Sequence, residues 1–517
     1  MSTQPPGAGD ALALFRVLPD DRDALALYAA LSDNGRRADT MLFERSTGPS
    51  LLLDRAAVRA ECRGHDATLK ALSEGGRNLL ATVARRLAER VIEQAPDRLL
   101  LRFPPPAGVD AAERLAASSP FDALRELTLC LKAADVEPFA VTALGVIAYD
   151  HVDLFETLPG PAEDALGFPD FVFWLAESLI VFEPGARPRA VCTAFGSADR
   201  EAATRAYFGA QERLTDLVAR CAKAPDFNYI PPPPGRPDFS QVDLDDPAYE
   251  ALVARMKEHI ADGDVYQIVP SRTFRSPCRT PLHAYAAIRS LDRGPYQFFV
   301  AGAEHILFGA SPETSVRVFQ GVGARQVEVK PIAGTRPRGA TQDEDDRFEA
   351  EMRLDHKELA EHMMLVDLAR NDVARISMTG TRRVAGLMTT ERYARVMHLV
   401  SSVVGNLRPD LDAFAALQAC LNVGTLTGAP KIRATELLRL AERTKRGPYG
   451  GAVGWVNGDG LMDTSVIIRS AVVRDGTAFV RAGAGVVYDS DPHAEAEETK
   501  RKASALLSVL AGVEAAA

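Results

Sequence analysis

Apolar positions along this chain follow two different periods, and the switch between them marks out its elements. Short apolar runs at 51–53, 99–103 and 171–182 read as strands bounded by polar and turn residues. Longer stretches at 76–95 and 198–222 repeat their apolar residues every three to four positions and read as helices. The pattern collapses over 224–246, where prolines 231–234, Gly235 and Pro237 can sustain neither a helix nor a central strand. The chain therefore divides into a mixed α and β region over 1–223, a Pro-rich linker over 224–246 and a second region over 247–517.

The second region opens with helical periodicity at 246–262 and runs through strand-like segments at 265–269, 297–300, 306–308 and 315–318. Helical patterns return at 344–374, 412–421 and 432–443. A last strand set covers 450–456, 461–473 and 478–487, and a final helix begins near Ala494. Strands in succession suggest antiparallel pairing, so an α+β fold is expected rather than a doubly wound sheet.

Charge adds the first chemical hint. Glu358 with Glu361, and Glu495 with Glu498, are spaced i, i+3 in charged helical segments, which puts both carboxylates of a pair on one helix face. Two readings stay open: a solvated acidic face, or, where two such helices meet, an oxygen-rich site for a hard cation. Lys500, Arg501 and Lys502 follow the second pair, so that helix also carries groups suited to an organic acid.

At 517 residues the chain needs two domains or one large layered body, and either leaves room for a deep cleft. The formal net charge of -10 and pI near 5.6 argue against nucleic acid or an anionic membrane as the main partner. Cys62, Cys130, Cys192, Cys221, Cys278 and Cys420 are scattered, with no C-x-x-C and no zinc spacing, and are expected as buried thiols in a reducing cytoplasm. Residues 1–10 lack a basic stretch followed by an apolar one, and no apolar run reaches membrane-spanning length, so a cytoplasmic protein with no membrane partner is expected.

Several motifs bear on the chemistry. Residues 424–431, Gly-Thr-Leu-Thr-Gly-Ala-Pro-Lys, fail the spacing of a phosphate loop, and Gly483-Ala484-Gly485 lacks the third glycine of a dinucleotide fold. Both stretches still offer backbone N–H groups that a carboxylate can approach closely. His398 lies in a mostly apolar stretch, where a satisfied core histidine and a catalyst are both open readings. Arg469 sits in the strand-like run Ile467-Ile468-Arg469-Ser470 and calls for a structural ion pair or a substrate carboxylate. No nucleophile elbow and no recognisable cysteine nucleophile appear, which disfavours covalent acyl chemistry.

Taken together, these stretches closely resemble the chorismate-utilising enzymes, and among them the large subunits of anthranilate synthase. The resemblance is carried by Gln267-Ile268-Val269-Pro270-Ser271-Arg272, Gly309-Ala310-Ser311-Pro312-Glu313, residues 331–339 and 355–372, Met397-His398-Leu399-Val400-Ser401, and residues 424–431 and 481–502. It is strong over about 245–510 and weaker before. It implies a four-layer α/β/β/α body with two orthogonally packed, mainly antiparallel sheets, to which the first region contributes. It also implies Mg²⁺ held by Glu361 and Glu498, with Glu358 and Glu495 in support, binding the ring carboxylate of chorismate. Mg²⁺ prefers a few carboxylates plus waters and a substrate oxygen, so the residue types agree.

By the same resemblance, Arg469, Tyr449, Lys502 and the backbone of Gly483, Ala484 and Gly485 grip the pyruvyl carboxylate. Gly334, Thr335 and Thr425 line the ring, Glu313 protonates the departing C4 hydroxyl, and His398 serves loss of the enolpyruvyl group. Relatives that add water carry a lysine base where Gln267 stands, and para-aminating relatives carry a nucleophilic lysine in place of Ala333. Gln cannot deprotonate water and a methyl group cannot attack, so the resemblance implies attack of ammonia at C2 of chorismate, giving 2-amino-2-deoxyisochorismate. Pyruvate elimination to anthranilate is the expected sequel. Aminodeoxyisochorismate synthases of specialised pathways, which stop at the aminated intermediate, share these residues and stand as the alternative. A non-catalytic regulatory or scaffolding subunit is the third reading, disfavoured by the intact set Glu361, His398, Arg469 and Glu498.

No segment resembles a glutamine amidotransferase, so ammonia is expected from a separate subunit, in a homo- or hetero-oligomer. Tryptophan-regulated relatives carry Leu-Leu-Glu-Ser near the N-terminus and Pro-Tyr-Met in mid-chain. Here the matching elements are Leu42-Phe43-Glu44-Arg45 and Pro295-Tyr296-Gln297. Arginine in the serine slot and glutamine in an apolar one mismatch an indole pocket, so weak or absent tryptophan inhibition is expected.

Overall fold

The computed structural model describes residues 5–105, 110–133, 137–160, 162–291, 294–393 and 396–516. Alternation of side chains builds its sheets. Along the strand Thr40–Arg45, Met41 and Phe43 enter a core made largely of strand residues such as Leu51, Leu53, Trp174 and Phe298. Leu42 enters a second core shared with the helices Ala24–Leu31, Pro281–Leu291 and Pro492–Ala516. A slip of one residue would exchange the two faces. A third core packs the helices Glu74–Arg86, Phe121–Leu127 and Ala413–Cys420 against strands that include Ser50–Arg63. Each fully buried Leu or Phe in these cores contributes about 1.5–3 kcal/mol.

The regions on either side of the linker share strands. Thr40–Arg45 pairs antiparallel with both Ser50–Arg63 and Tyr296–Ala301, and Thr142–Ile147 pairs with Ala452–Asn457. Among the described residues, 22 strands are connected in one hydrogen-bonded network, and a separate two-stranded piece joins Gln267–Ile268 to Gly428–Ala429. Between strands of the described residues the pairing is antiparallel except where Asp10 and Ala11 run parallel to Lys132 and Ala133, and an isolated bridge joins Glu163 to Thr444 in parallel. The architecture is thus mixed helix and antiparallel sheet. Residues 224–241 form neither helix nor strand, and Gly235 N–H donates to the Ser508 carbonyl at 2.8 Å, which seats the linker on the C-terminal helix.

Several elements depart from the pattern-based expectation. The helix expected over 76–95 ends at Arg86, because the β-branched Val91 and Ile92 belong to a strand, Val91–Ala95, that folds back on Arg98–Arg102. The helix expected over 344–374 is two helices, Gln342–Leu354 and His356–Ile376. Between them Asp355 is extended, and its carboxylate accepts the Glu358 N–H at 3.3 Å, as a capping residue does. The strands Arg383–Arg392 and Val396–Asn406 carry enough Arg, Ser and Thr to escape an apolar-run search, yet they pair along their lengths. The strand expected over 461–473 breaks into Met462–Val466 and Ser470–Arg474 around Arg469, whose φ is 50°. Cys130 is exposed in the turn after Phe121–Leu127, while the other five cysteines are buried.

Candidate active site

The two-stranded piece brings Gln267 beside the helix His356–Ile376. Gln267 is buried, and its Nε2 donates to Glu361 Oε1 at 3.1 Å. A carboxylate only accepts, so this contact fixes which way the amide points. Gln267 Oε1 is consequently turned elsewhere, buried and without a partner among the described residues. A buried acceptor left in this state costs about 1–3 kcal/mol, which a bound N–H or O–H donor would recover.

The acidic helices converge. Burial raises the Glu361 carboxyl above its usual value, and repulsion from Glu358 and Glu498 raises it further against Gln267 and Lys502. Glu358 is held by Arg336 at 3.1 Å and Glu498 by Lys502 at 2.8 Å. Glu495 is buried one turn before Glu498. Among the described residues no group of three or more Cys, His, Asp or Glu side chains stands ready to hold a metal ion. The donor set nonetheless fits one: oxygen ligands close enough to repel one another suit a hard divalent cation.

On the facing strands, Thr335 lies opposite His398, with a bulge between Ala333 and Thr335. The His398 Nδ1 lies 3.1 Å from the Gly334 carbonyl and 3.0 Å from Thr335 Oγ1. A carbonyl can only accept, so Nδ1 carries the proton and proton transfer falls to Nε2. Gly334 has φ 71°, and a Cβ there would stand 3.4 Å from Glu358 Oε2, so glycine serves both the turn and the approach to the carboxylates.

Glu313 is buried and receives the Thr425 hydroxyl at 2.8 Å. Burial pushes its pKa up to about 7, while Thr425 and Lys502 pull the other way. Such a carboxyl holds a proton near neutrality and can give it up. Arg469 is half-buried, and no carboxylate lies within ion-pair distance of it among the described residues. Its left-handed backbone costs about 1 kcal/mol or more in a non-glycine residue. An uncompensated guanidinium held in a strained turn is suited to an external anion.

Tyr449 is buried beside Gly483, and burial raises its hydroxyl to about 12, so it stays a neutral donor. Lys502 Nζ donates to the Gly483 carbonyl at 2.9 Å. The Ala484 N–H, expected to face a ligand, is spent on the Pro270 carbonyl at 3.2 Å. A Cβ at Gly485 would lie 2.7 Å from Gln267 Nε2 and 3.8 Å from Glu361 Oε1. Gly485→Ala is therefore expected to cut turnover at least about tenfold by shifting Gln267, on the order of the loss that a small misplacement of a positioning group causes. A circular-dichroism melt should show the fold retained, and unchanged turnover would contradict this packing.

The elements expected to form a degenerate tryptophan pocket are closed upon themselves. Arg45 forms an ion pair with Asp463 at 2.5 Å and stands 5.3 Å over the Tyr296 ring. Tyr296 donates to Asp463 at 2.9 Å. Glu44 accepts from Tyr285 and Arg289, and Gln297 Nε2 donates to the Arg289 carbonyl at 3.2 Å. The Pro295 carbonyl accepts the Ser46 N–H at 3.0 Å.

Three supporting groups escaped sequence reading, because only folding brings their partners together. Glu442 is buried and accepts from Ser271, Arg446 and Arg481, anchoring the wall behind Tyr449. Lys431 pairs with the buried Asp372 at 2.7 Å and ties residues 424–431 to the helix His356–Ile376. His362, next to Glu361, is driven down to about 4 by burial and contacts Ser401 Oγ at 2.6 Å.

A family model described as chorismate binding enzyme matches residues 78–508. Anthranilate synthase component 1 of Vibrio cholerae is 44% identical over 522 residues, covering 96% of this chain and 96% of that protein. The pyocyanine-specific anthranilate synthase component 1 of Pseudomonas aeruginosa is 42% identical over 500 residues, covering 92% and 91%. The crystal structure of anthranilate synthase component I from Streptococcus pneumoniae superposes with a TM-score of 0.70 at 29% identity, covering 90% and 93%.

Proposed function

The chain belongs to the family of chorismate-binding enzymes, and from that membership we propose that it is the large, chorismate-converting component of an anthranilate synthase. The observation that carries the choice of reaction is the pair Gln267 and Ala333. Gln267 is an amide locked on Glu361 with a buried acceptor oxygen, and Ala333 is a methyl group, so these two positions supply neither a base for water nor an amine nucleophile. Ammonia brings its own lone pair.

Glu361 and Glu498 would hold Mg²⁺, with Glu358 and Glu495 beside them. The bound ion would neutralise the ring carboxylate of chorismate and draw electron density from the ring. Arg469 takes the pyruvyl carboxylate in its two-pronged fork, with the Tyr449 hydroxyl and Lys502 alongside. Gly334, Thr335 and Thr425 line the ring. Ammonia forms a bond to C2 and donates an N–H to Gln267 Oε1. Both ring double bonds shift by one position, the C4–O bond breaks, and Glu313 gives its proton to the leaving oxygen, so water departs. The new ammonium group then passes a proton to solvent, giving the 2-amino product. His398 Nε2 moves a proton in the following step, in which the enolpyruvyl group leaves as pyruvate and the ring becomes aromatic.

The four-layer arrangement with orthogonal sheets, a cytoplasmic location and a partner amidotransferase belong to the same reading. The product decides it. Chorismate, Mg²⁺ and ammonium at pH above 8 should give anthranilate fluorescence with equimolar pyruvate. An aminated product that keeps its enolpyruvyl group would assign the chain to the aminodeoxyisochorismate synthases instead.

Tryptophan is expected not to inhibit. Arg45 and Gln297 fill the place of a small hydroxyl and an apolar contact, and Arg45 Nη1 is already paired with Asp463 and Gln297 Nε2 with the Arg289 carbonyl. Turnover should be unchanged at 1 mM tryptophan on the order-of-magnitude argument that an indole cannot repay the desolvation of these pairs. Inhibition competitive with chorismate at sub-millimolar tryptophan would refute this.

A further inference from the structure

We infer that Glu391 is a positioning residue for the second step of the reaction. Its carboxylate stands opposite His398 on the neighbouring strand, makes that buried imidazole a base, and so decides whether the enolpyruvyl group leaves. The inference deepens the functional reading above and rests on it.

The placement follows from register. Thr335, His398 and Glu391 lie side by side on three adjacent strands, Ile332–Pro337, Val396–Asn406 and Arg383–Arg392. Residues directly opposite in antiparallel strands share one face, so the Glu391 and His398 side chains are neighbours. Tyr393 closes the group: its ring centroid is 5.8 Å from that of His398, and its hydroxyl donates to Glu391 Oε2. Arg338 in turn donates to the Tyr393 carbonyl at 2.7 Å. Lys330 Nζ donates to Glu391 Oε1 at 2.7 Å. Burial works to raise the Glu391 carboxyl, and Lys330, Tyr393 and His398 together hold it below its usual range, so it is anionic near neutrality.

As a source of stability the ion pair is weak, because 27% of the Lys330 side chain and 34% of the Glu391 side chain are open to water. Its chemical consequence is larger. With Nδ1 held by the Gly334 carbonyl, His398 can take a proton on Nε2 only by becoming a cation, and the residue is 4% exposed. Burial opposes that cation, and a neighbouring carboxylate favours it. In the step itself the C2–H bond breaks and its proton passes to His398 Nε2. The electron pair left behind forms the C2–C3 double bond of the aromatic ring. The C3–O bond breaks with its pair on the oxygen, releasing the enolate of pyruvate. The methylene carbon of the enolate then takes the proton from the imidazolium, which returns the imidazole neutral. The amination step uses Glu313 and Gln267 and forms no imidazolium, so it does not depend on Glu391.

The test compares Glu391→Gln and Lys330→Met with the wild type on chorismate, Mg²⁺ and ammonium. Chorismate, anthranilate, pyruvate and the aminated compound that keeps its enolpyruvyl group are all quantified. Both variants break the ion pair, but only the first removes the charge. Glu391→Gln should consume chorismate within about threefold of wild type, form anthranilate at least about tenfold more slowly and accumulate the aminated compound. Lys330→Met should form anthranilate within about threefold of the wild-type rate. Parallel loss of amination and elimination in Glu391→Gln, through unfolding or otherwise, would make the residue structural and overturn the inference. Elimination at the wild-type rate in Glu391→Gln would overturn it too, as would equal accumulation of the aminated compound in Lys330→Met. In each of those cases a wild type that makes anthranilate leaves the functional reading standing. A wild type that releases only the aminated compound would refute that reading and this role together.

Discussion

Glu361→Gln is expected to abolish turnover of chorismate while leaving the fold intact. The substitution keeps the shape of the side chain and its contact with Gln267 but removes the charge on which the proposed cation would depend. Loss of one carboxylate from a metal site that stabilises developing charge is expected to cost at least about 100-fold in kcat/KM, or about 2.7 kcal/mol. Stability should not fall, because burial and the neighbouring Glu358 and Glu498 already disfavour the Glu361 charge. Isothermal titration with Mg²⁺ gives a readout apart from activity: the heat of binding expected for the wild type in the presence of chorismate should be absent in the variant. Retained turnover or retained Mg²⁺ binding would contradict the assignment of this carboxylate.

Glu313→Gln should be inactive and more stable. Burial raises the Glu313 carboxyl from its ordinary value of 4.5 to about 7. Between those values the folded state holds a proton that the unfolded chain has released, so stability declines as pH rises through this window and the full cost is present above about pH 7. The cost is at most about 3 kcal/mol, from the size of the shift. The amide escapes it, so thermal unfolding of Glu313→Gln should gain about 1–3 kcal/mol over the wild type at pH 8 and nothing below pH 4.5. Turnover should fall by about 10²–10⁴, the range for removal of a general acid. In the wild type, kcat/KM for chorismate with glutamine as nitrogen source should decline above about pH 7 as the acid loses its proton. Glutamine must be used because ammonium itself becomes a better source of ammonia as pH rises. A variant no more stable than wild type at pH 8 would show that burial does not raise the Glu313 carboxyl.

Much of the site was legible in the chain because its chemistry is local. The i, i+3 glutamates predict a shared helix face, and both pairs do sit on long helices, His356–Ile376 and Pro492–Ala516. What spacing cannot say is which helix faces which. The repulsion between Glu361 and Glu498 exists only once the fold has brought the two helices together. Arg469 is a sharper case. Its apolar neighbours suggested a continuous strand, but the chain turns there with φ 50°, a conformation that a non-glycine sequence does not announce. The strands Arg383–Arg392 and Val396–Asn406 were hidden by their polar residues, which are largely open to solvent along the first and include the buried His398 and Ser401 in the second. The proton on Glu313 was likewise foreseeable as a need and not as a fact, since the burial that supplies it comes from distant segments around Thr425 and Val466. Arg45 and Gln297 were readable as misfits, whereas the Asp463 partner of Arg45 lies more than four hundred positions away.

The choice of nucleophile is the claim on which the rest depends, and the position of nitrogen in the product tests it most directly. Chorismate incubated with the protein, Mg²⁺ and ¹⁵N-labelled ammonium should yield a product whose nuclear magnetic resonance spectrum places the label on the ring carbon next to the one bearing the carboxylate. Label opposite the carboxylate, or an unlabelled hydroxylated product, would contradict the roles given to Gln267 and Ala333.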